Sequence, residues 1–593
     1  MPTPLRLWPG VALVVLQWTL KVGVPLVAPD YAMFGLFGAI ICGLFVLLWW
    51  LFFSRAPWLE RIGVLAVMAV AVWATYSLVD ISIAGGAMGN LLWISSIPVL
   101  SLALVAACVV ARYKGVATRR ALTAVAIVLA CGWFTLLRTG GVSGDGAGDF
   151  HWRWTPTPEQ KLLAAAPEPP IVPPAPAPTA ITPAPTPLPP AADTKTVITP
   201  PAPSAPAEWP GFRGPSRDDV IRGLTIETDW TSKPPVEMWR KPIGPGWSSF
   251  AVQGNQIFTQ EQRGDDEIVS SYDITTGALV WMHKDRARFY ESNAGPGPRG
   301  TPAVGLGRVY SVGATGILNA LDARNGAVVW SRNAVTDTGA TIPGWGIAGS
   351  PILAGDTVIV AASGRLAAYD AATGKPRWSG PTNRGGSYSS PHLMTINGLE
   401  QLLMQSGAGL TSVSPVDGKV IWQHDWEGVP MLQPVRIGDA DLLVAAGDMM
   451  GGIGTRRISV ASSSGWSAEE KWTSRGLKPY FSDIVAHSGY AYGFDGNILS
   501  CIDLKDGARK WKGGRYGSGQ LVLLADQDLL LVLAEEGDIA LVKATPDGFT
   551  EVARHPAIEG KTWNHLVVVR DVLLVRNGEE MVAFRIARPS GSR

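Results

Sequence analysis

One short pattern recurs between residues 271 and 511, and nothing else in the chain restricts the fold so tightly. SYDITTGALVW ends at Trp281, ALDARNGAVVW at Trp330, AYDAATGKPRW at Trp378 and CIDLKDGARKW at Trp511. VSPVDGKVIW ends at Trp422 and has Ser414 where the others have Asp. In all five copies a Gly (Gly277, Gly326, Gly374, Gly418, Gly507) stands four residues after that position, and the Trp eight after it. Degenerate copies end at Trp472 and run from Ala544 to Glu551. The Asp side chain can take up amides of a tight turn, and the Gly supplies a positive φ. The stretch ahead of the turn, such as ILNAL, has the two-residue period of a half-buried strand. Each copy is therefore a hairpin. Another strand pair precedes most of them, as in TPAVGLGRVYSVGA. Four strands recurring every ~40 to 50 residues predict a β-propeller. Third strands number seven before Glu551, with an eighth in MVAFRI (Met581 to Ile586). That last unit lacks a fourth strand, and VEMWRKPI (Val236 to Ile243) stands alone ahead of the first. Joining the two closes a ring of eight and removes an exposed edge.

The first part of the chain obeys different rules. Five apolar runs, Leu7 to Val27, Met33 to Phe53, Ile62 to Ala84, Leu91 to Ala111 and Ala121 to Leu137, are each long enough to cross a bilayer as helix. Four further spans follow the first closely, so it reads as a retained helix and not as a signal peptide. Arg6, then Arg55 and Arg61, then Arg112, Lys114, Arg119 and Arg120 occupy alternate ends and loops, which predicts a cytoplasmic N-terminus. An odd number of spans places everything after residue 140 outside, which is the periplasm if the membrane is a Gram-negative inner membrane. Lys21, Asp80 and Arg138 fall inside or at the rim of spans, toward the outer face. Two readings stay open for them: ion pairing or snorkelling, and a quinone headgroup site that would make ubiquinone a partner alongside the lipid bilayer.

From Thr155 to Glu208 the chain is rich in Pro and Ala, which favours polyproline II and cannot build a core. At ~3.1 Å per residue such a tether reaches on the order of 130 Å. The predicted organisation is a membrane domain over 1–141, a linker over 142–208 and an eight-bladed propeller over 209–593. The chain is thus an α-helical membrane bundle joined to an all-β propeller. A net charge of +1 over 593 residues gives no reason to expect nucleic acid. Cys42, Cys108, Cys131 and Cys501 have no metal-ligand spacing, and no two of the seven His share ligand spacing on one element.

The xDxxTGxxxW repeat resembles the PQQ-type propeller repeat found in quinoprotein dehydrogenases and in outer-membrane assembly lipoproteins of the BamB type. The resemblance covers about residues 209 to 590. WPGFRGPSRDDV (Trp209 to Val220) is similar to the start of bacterial PQQ-binding-like propellers. Five spans ahead of such a propeller resemble the membrane-bound glucose dehydrogenases. The family implies that the Trp docks between blades. It also makes PQQ with Ca²⁺ a candidate cofactor and periplasmic or outer-membrane proteins candidate partners. The chain has no vicinal Cys pair and no match to the family's Ca²⁺-binding set, so the repeat implies a fold and not a bound cofactor.

Propellers bind at the mouth of the central channel, which the segments leading into the innermost strands line. Those segments supply Arg299, Lys478, Arg515 and His565 to hold an anionic ligand. They also supply Trp247, Trp345 and Trp563 to stack on a planar ring, and Asp483 as candidate base. The same aromatics can equally plug the channel. Two functions are weighed: a membrane-anchored binding or scaffold propeller, and a PQQ-dependent, quinone-coupled dehydrogenase of sugars or alcohols. A sensor role ranks last because the chain has no cytoplasmic output domain.

Overall fold

The computed structural model describes residues 5–28, 31–142, 148–165, 206–381, 384–446 and 454–589. Most of the Pro/Ala tract, over 166–205, lies outside the described residues. The chain divides into two compact units, one made of Met1–Pro156 with Tyr290–Gly295 and the other of Thr157–Phe289 with Pro296–Arg593.

Among the described residues, the first unit contains five helices long and apolar enough to cross a membrane: Trp8–Val27, Ala32–Phe53, Trp58–Tyr76, Leu91–Val110 and Val116–Thr135. The third differs from the sequence expectation, which ran it on to Ala84. It stops at Tyr76 because the Asp80 carboxylate begins a new short helix, Ile81–Gly89, accepting from Ser82 N at 3.0 Å and Ser82 Oγ at 2.8 Å. The fifth begins earlier than expected and includes Arg119, which donates to Glu60 at 2.7 and 3.1 Å in a buried pair. Two of the charges assigned to a loop therefore sit in a helix. After the fifth helix, Leu137–Val142 pairs antiparallel with Gly148–Trp152.

The second unit is an eight-bladed propeller. Its blades occupy 251–285, 303–333, 352–380, 392–425, 435–474, 485–515, 520–556 and 567–585, each strand hydrogen-bonded to the next in chain order. Three strands of the eighth blade come from the C-terminal end of the unit. Its fourth is Val236–Pro242, antiparallel to Glu580–Arg585 with Met581 opposite Lys241 and Ala583 opposite Trp239. The ring is closed by strands from both ends of the propeller region, as the orphan VEMWRKPI implied. Within the stretch read from Thr155 as Pro/Ala linker, Pro158–Ala165 instead forms a helix; Leu162 is buried and Glu159 holds Arg288 at 2.8 and 2.9 Å.

The repeat is structural, and each of its parts has a mechanical task. Asp322 Oδ1 accepts from Arg324 N at 2.9 Å, and Gly326 N returns to Asp322 O at 2.8 Å, which closes the turn. The Trp lies on the outermost strand and reaches the turn of the following blade. Trp281 Nε1 donates to Ala323 O at 3.0 Å, Trp330 to Ala371 O at 3.0 Å and Trp511 to Thr545 O at 2.7 Å. Trp239, on the strand from the N-terminal side, does the same to Ile274 O at 2.8 Å and so docks blade eight on blade one. Gly326 has a second duty beyond its φ of +74°: a Cβ there would stand 2.5 Å from the Trp281 ring. The blade that departs from the pattern shows what it is for. Trp422 turns back to Gln401 Oε1 at 2.7 Å within its own blade, beside the degenerate fifth blade.

Candidate binding site

The segment WPGFRGPSRDDV does not add to the outside of a blade; it enters the centre of the ring. Trp209 exchanges backbone hydrogen bonds with Val252 at 2.7 and 3.2 Å, and Pro210 O accepts from Val304 N at 2.8 Å. At the other end Val220–Ile221 lies parallel to Gln520–Leu524, the innermost strand of blade seven. The segment therefore spans the channel from blades one and two to blade seven. Its turns put Arg213, Arg217 and Asp219 in left-handed backbone, at φ of 65°, 53° and 58°. Such backbone is strained for these residues and persists only where surroundings fix it.

What fixes it is a buried charge cluster. Arg213 and Asp219 side chains are both 0% exposed and directly paired. Arg213 also donates to Ile484 O at 3.1 Å and stands 3.6 Å from Asp483 Oδ2. His565 Nε2 lies 3.0 Å from Asp219 Oδ1, while its Nδ1 lies 2.8 Å from Leu566 O. Both ring nitrogens thus lie near acceptor oxygens, an arrangement that favours the imidazolium, although only Nδ1 meets its acceptor in hydrogen-bond geometry. In agreement, the flanking carboxylates and that hydrogen bond raise its pKa against the opposing pull of burial. Burial raises the Asp483 carboxyl, with Arg213 opposing.

Nearer the mouth the same blade-leading segments carry rings. Trp247 meets Trp563 at 4.9 Å, Trp563 meets Phe481 at 5.1 Å, and Phe481 meets Tyr480 at 5.5 Å. Tyr480 then reaches Trp345 at 6.4 Å, and Trp345 meets Tyr388 at 4.9 Å. This arc joins blades one, eight, six, three and four. Lys561 lies over Trp563 at 4.1 Å and over Trp247 at 5.6 Å, a cation–π arrangement. Trp563 Nε1 is anchored on Glu535 Oε1 at 2.8 Å.

The sequence-predicted residues therefore separate into layers. Trp247, Trp345 and Trp563 share the arc. Asp483 and His565 lie beneath it in the charge cluster, where Arg213 and Asp219 engage them. Arg299 stacks on Phe289 at 4.8 Å and bonds Gly297 O. Lys478 stands 3.5 Å from Asp495 Oδ1, and Arg515 is exposed at the end of blade six. Five residues that matter went unassigned by sequence: Phe481 and Lys561 at the mouth, and Asp219, Arg213 and Arg217 below it. The alternating charges of FRGPSRDD were the available signal for the last two.

In the first unit, Asp80 stands 3.6 Å from Arg153 Nε and Arg138 donates to Thr155 O at 3.0 Å. Lys21 lies over Trp18 at 5.5 Å and lines a cavity of about 480 Å³ with Trp133, Trp152 and His151. Among the described residues these three charges are not paired with one another.

A flat tricarboxylate such as PQQ needs a slot between ring faces and unengaged cations around its edge. The Trp247 and Trp563 rings pack against each other, inclined at 35°, and His565 is committed to Asp219. Phe212, from the channel-filling segment, packs on His565 at 5.7 Å. Among the described residues no group of three or more His, Cys, Asp or Glu is placed to hold a metal ion. The residues present do not fit a sandwiched PQQ with Ca²⁺.

Comparison with known proteins places the propeller. The family model described as outer membrane protein assembly factor BamB matches residues 229–390 and 265–513. The BamB of Yersinia pestis is 21% identical over 351 residues, 55% of this chain and 75% of that protein. Among solved structures, BamB from Moraxella catarrhalis is similar at 15% identity with a TM-score of 0.42, covering 59% of this chain and 97% of its own. A quinohemoprotein alcohol dehydrogenase from Pseudomonas putida HK5 is similar at 13% identity with a TM-score of 0.47, covering 63% of this chain and 79% of its own. The propeller is thus similar to the BamB family model over residues 229–513.

Proposed function

We propose that this chain is a membrane-anchored, BamB-like propeller that holds a protein segment at its aromatic mouth, a scaffold and not a redox enzyme. The observation that carries the reading is the arc from Trp247 to Tyr388, with Lys561 over it, above a channel that the chain itself fills. Half-buried rings drawn from five blades offer large, rigid, amphipathic contact area, the composition of a binding hot spot. Supporting the anchor are the five apolar helices. We place residues 1–141 in the inner membrane with the N-terminus cytoplasmic, 142–208 as a tether and 209–593 in the periplasm. Similarity to an outer membrane protein assembly factor makes an envelope protein the natural partner class.

Photo-crosslinking in intact cells tests this. A photoreactive residue replaces Trp345 or Tyr480 at the mouth, or Val280 on the exposed fourth strand of blade one. Discrete protein adducts from both mouth positions, reduced by Trp563→Ala and absent from position 280, are expected. Adducts equal at all three positions, or none at the mouth, refute the reading.

A further inference from the structure

The charge cluster in the channel does not balance. Among the described residues, Arg213, Arg217 and the His565 imidazolium are opposed by two buried carboxylates, Asp219 and Asp483, while Asp218 acts on Arg213 from a more exposed position where it pairs with Arg222. The surplus falls on Arg217. Its side chain is buried, and the described residues give it one hydrogen bond, from Nη1 to Pro351 O at 3.3 Å. Its Nε and Nη2 have no hydrogen-bond partner among the described residues, and neither do Arg213 Nη1, His392 Nδ1, Asp219 Oδ1 and His565 Nε2. A buried guanidinium with no ion pair carries a heavy desolvation cost. Desolvation by burial and the neighbouring charge of Arg213 pull its pKa down to about 10. His392, at the start of blade four, is held neutral by burial and by these two arginines.

The identity of the two unpartnered groups is informative. Nε and Nη2 form one edge of the guanidinium, the fork whose two parallel N–H bonds match the two oxygens of a carboxylate. A spherical anion takes both N–H bonds on one atom with bent geometry, whereas a planar oxyanion takes each on its own oxygen in a straight bond. We infer that Arg217 holds a small planar oxyanion of the carboxylate class inside the propeller channel, beneath the aromatic mouth. The bound anion brings the cluster to neutrality and locks the channel-filling segment in its left-handed turns. This goes beyond the scaffold reading and stands or falls without it.

Formate is the probe. The full chain, in detergent and at constant ionic strength, is melted while chloride is replaced by formate. Wild type should gain thermal stability saturably, on the order of 3 °C at a hundredfold excess over the dissociation constant. Arg217→Met should melt at or above wild type in chloride and show no formate response. Arg217→Lys keeps the charge but loses the fork, and should no longer prefer formate to chloride. A wild-type melt indifferent to formate overturns the inference, and so does a full formate response in Arg217→Lys. Should Arg217→Met fail to fold, the wild-type titration and Arg217→Lys still decide.

Discussion

The repeat glycine should be far more costly to replace than its backbone angle alone predicts, because the neighbouring blade's tryptophan rests on it. Gly326 and Gly254 both have positive φ, +74° and +59°. A Cβ at Gly326 would lie 2.5 Å from the Trp281 ring, whereas at Gly254 nothing lies within 4 Å. Alanine at either position bears the left-handed penalty of about 1–2 kcal/mol. Only Gly326→Ala adds an overpacking cost of about 1–3 kcal/mol. The expected losses are therefore about 2–5 kcal/mol for Gly326→Ala and about 1–2 kcal/mol for Gly254→Ala. Trp281→Ala should itself cost about 3–5 kcal/mol, and in the double variant the overpacking cost vanishes because the ring is gone. The pair must then be non-additive by about 1–3 kcal/mol. Urea unfolding of the full chain, followed by near-UV circular dichroism, reads these differences. Equal losses for the two glycines, or additivity in the double variant, would refute docking as the reason for the repeat.

Three further perturbations have definite signs. Burial pushes the Glu267 carboxyl up to about 7, against its hydrogen bond from Ala314 N at 3.0 Å. A raised carboxyl favours the folded state at low pH, and that contribution is lost as pH rises from the unfolded value of about 4.3 through about 7. Glu267→Gln should therefore be more stable than wild type by about 3 kcal/mol at pH 8 and no different at pH 4, as measured by urea unfolding at each pH. Trp239→Ala removes the docking of blade eight on blade one and should cost about 3–5 kcal/mol, with limited proteolysis of the full chain cutting first near residues 236–242. In the first unit, Glu60→Gln leaves the buried Arg119 without its carboxylate and should lower stability by about 3–5 kcal/mol, read as a lower melting temperature in detergent.

The blades were legible because a propeller repeats its sequence as it repeats its structure. The Asp–Gly–Trp spacing carries turn and docking together, and the orphan stretch VEMWRKPI marked the closing strand before any partner was visible. The helix limits were less legible. Asp80 reads as an ionisable residue within an apolar run, and only local geometry shows that it caps a new helix. At the mouth, the blade-leading segments pointed to Trp247, Trp345 and Trp563 but not to their depth relative to Asp483 and His565. That depth is set by Arg213, which meets Ile484 from 271 residues away in the chain, a pairing with no local signature. WPGFRGPSRDDV resembled a family start; that it fills the channel follows from backbone pairing with blades one, two and seven.

Titrating the purified full chain with PQQ and Ca²⁺, recording absorbance and dye reduction with sugars and alcohols, tests the scaffold reading most directly. A mouth closed by its own rings over a filled channel predicts no saturable spectral change and no dye reduction. Saturable PQQ binding that disappears in Arg299→Ala or Lys478→Ala, with dye reduction, would contradict it and make the chain a quinoprotein dehydrogenase.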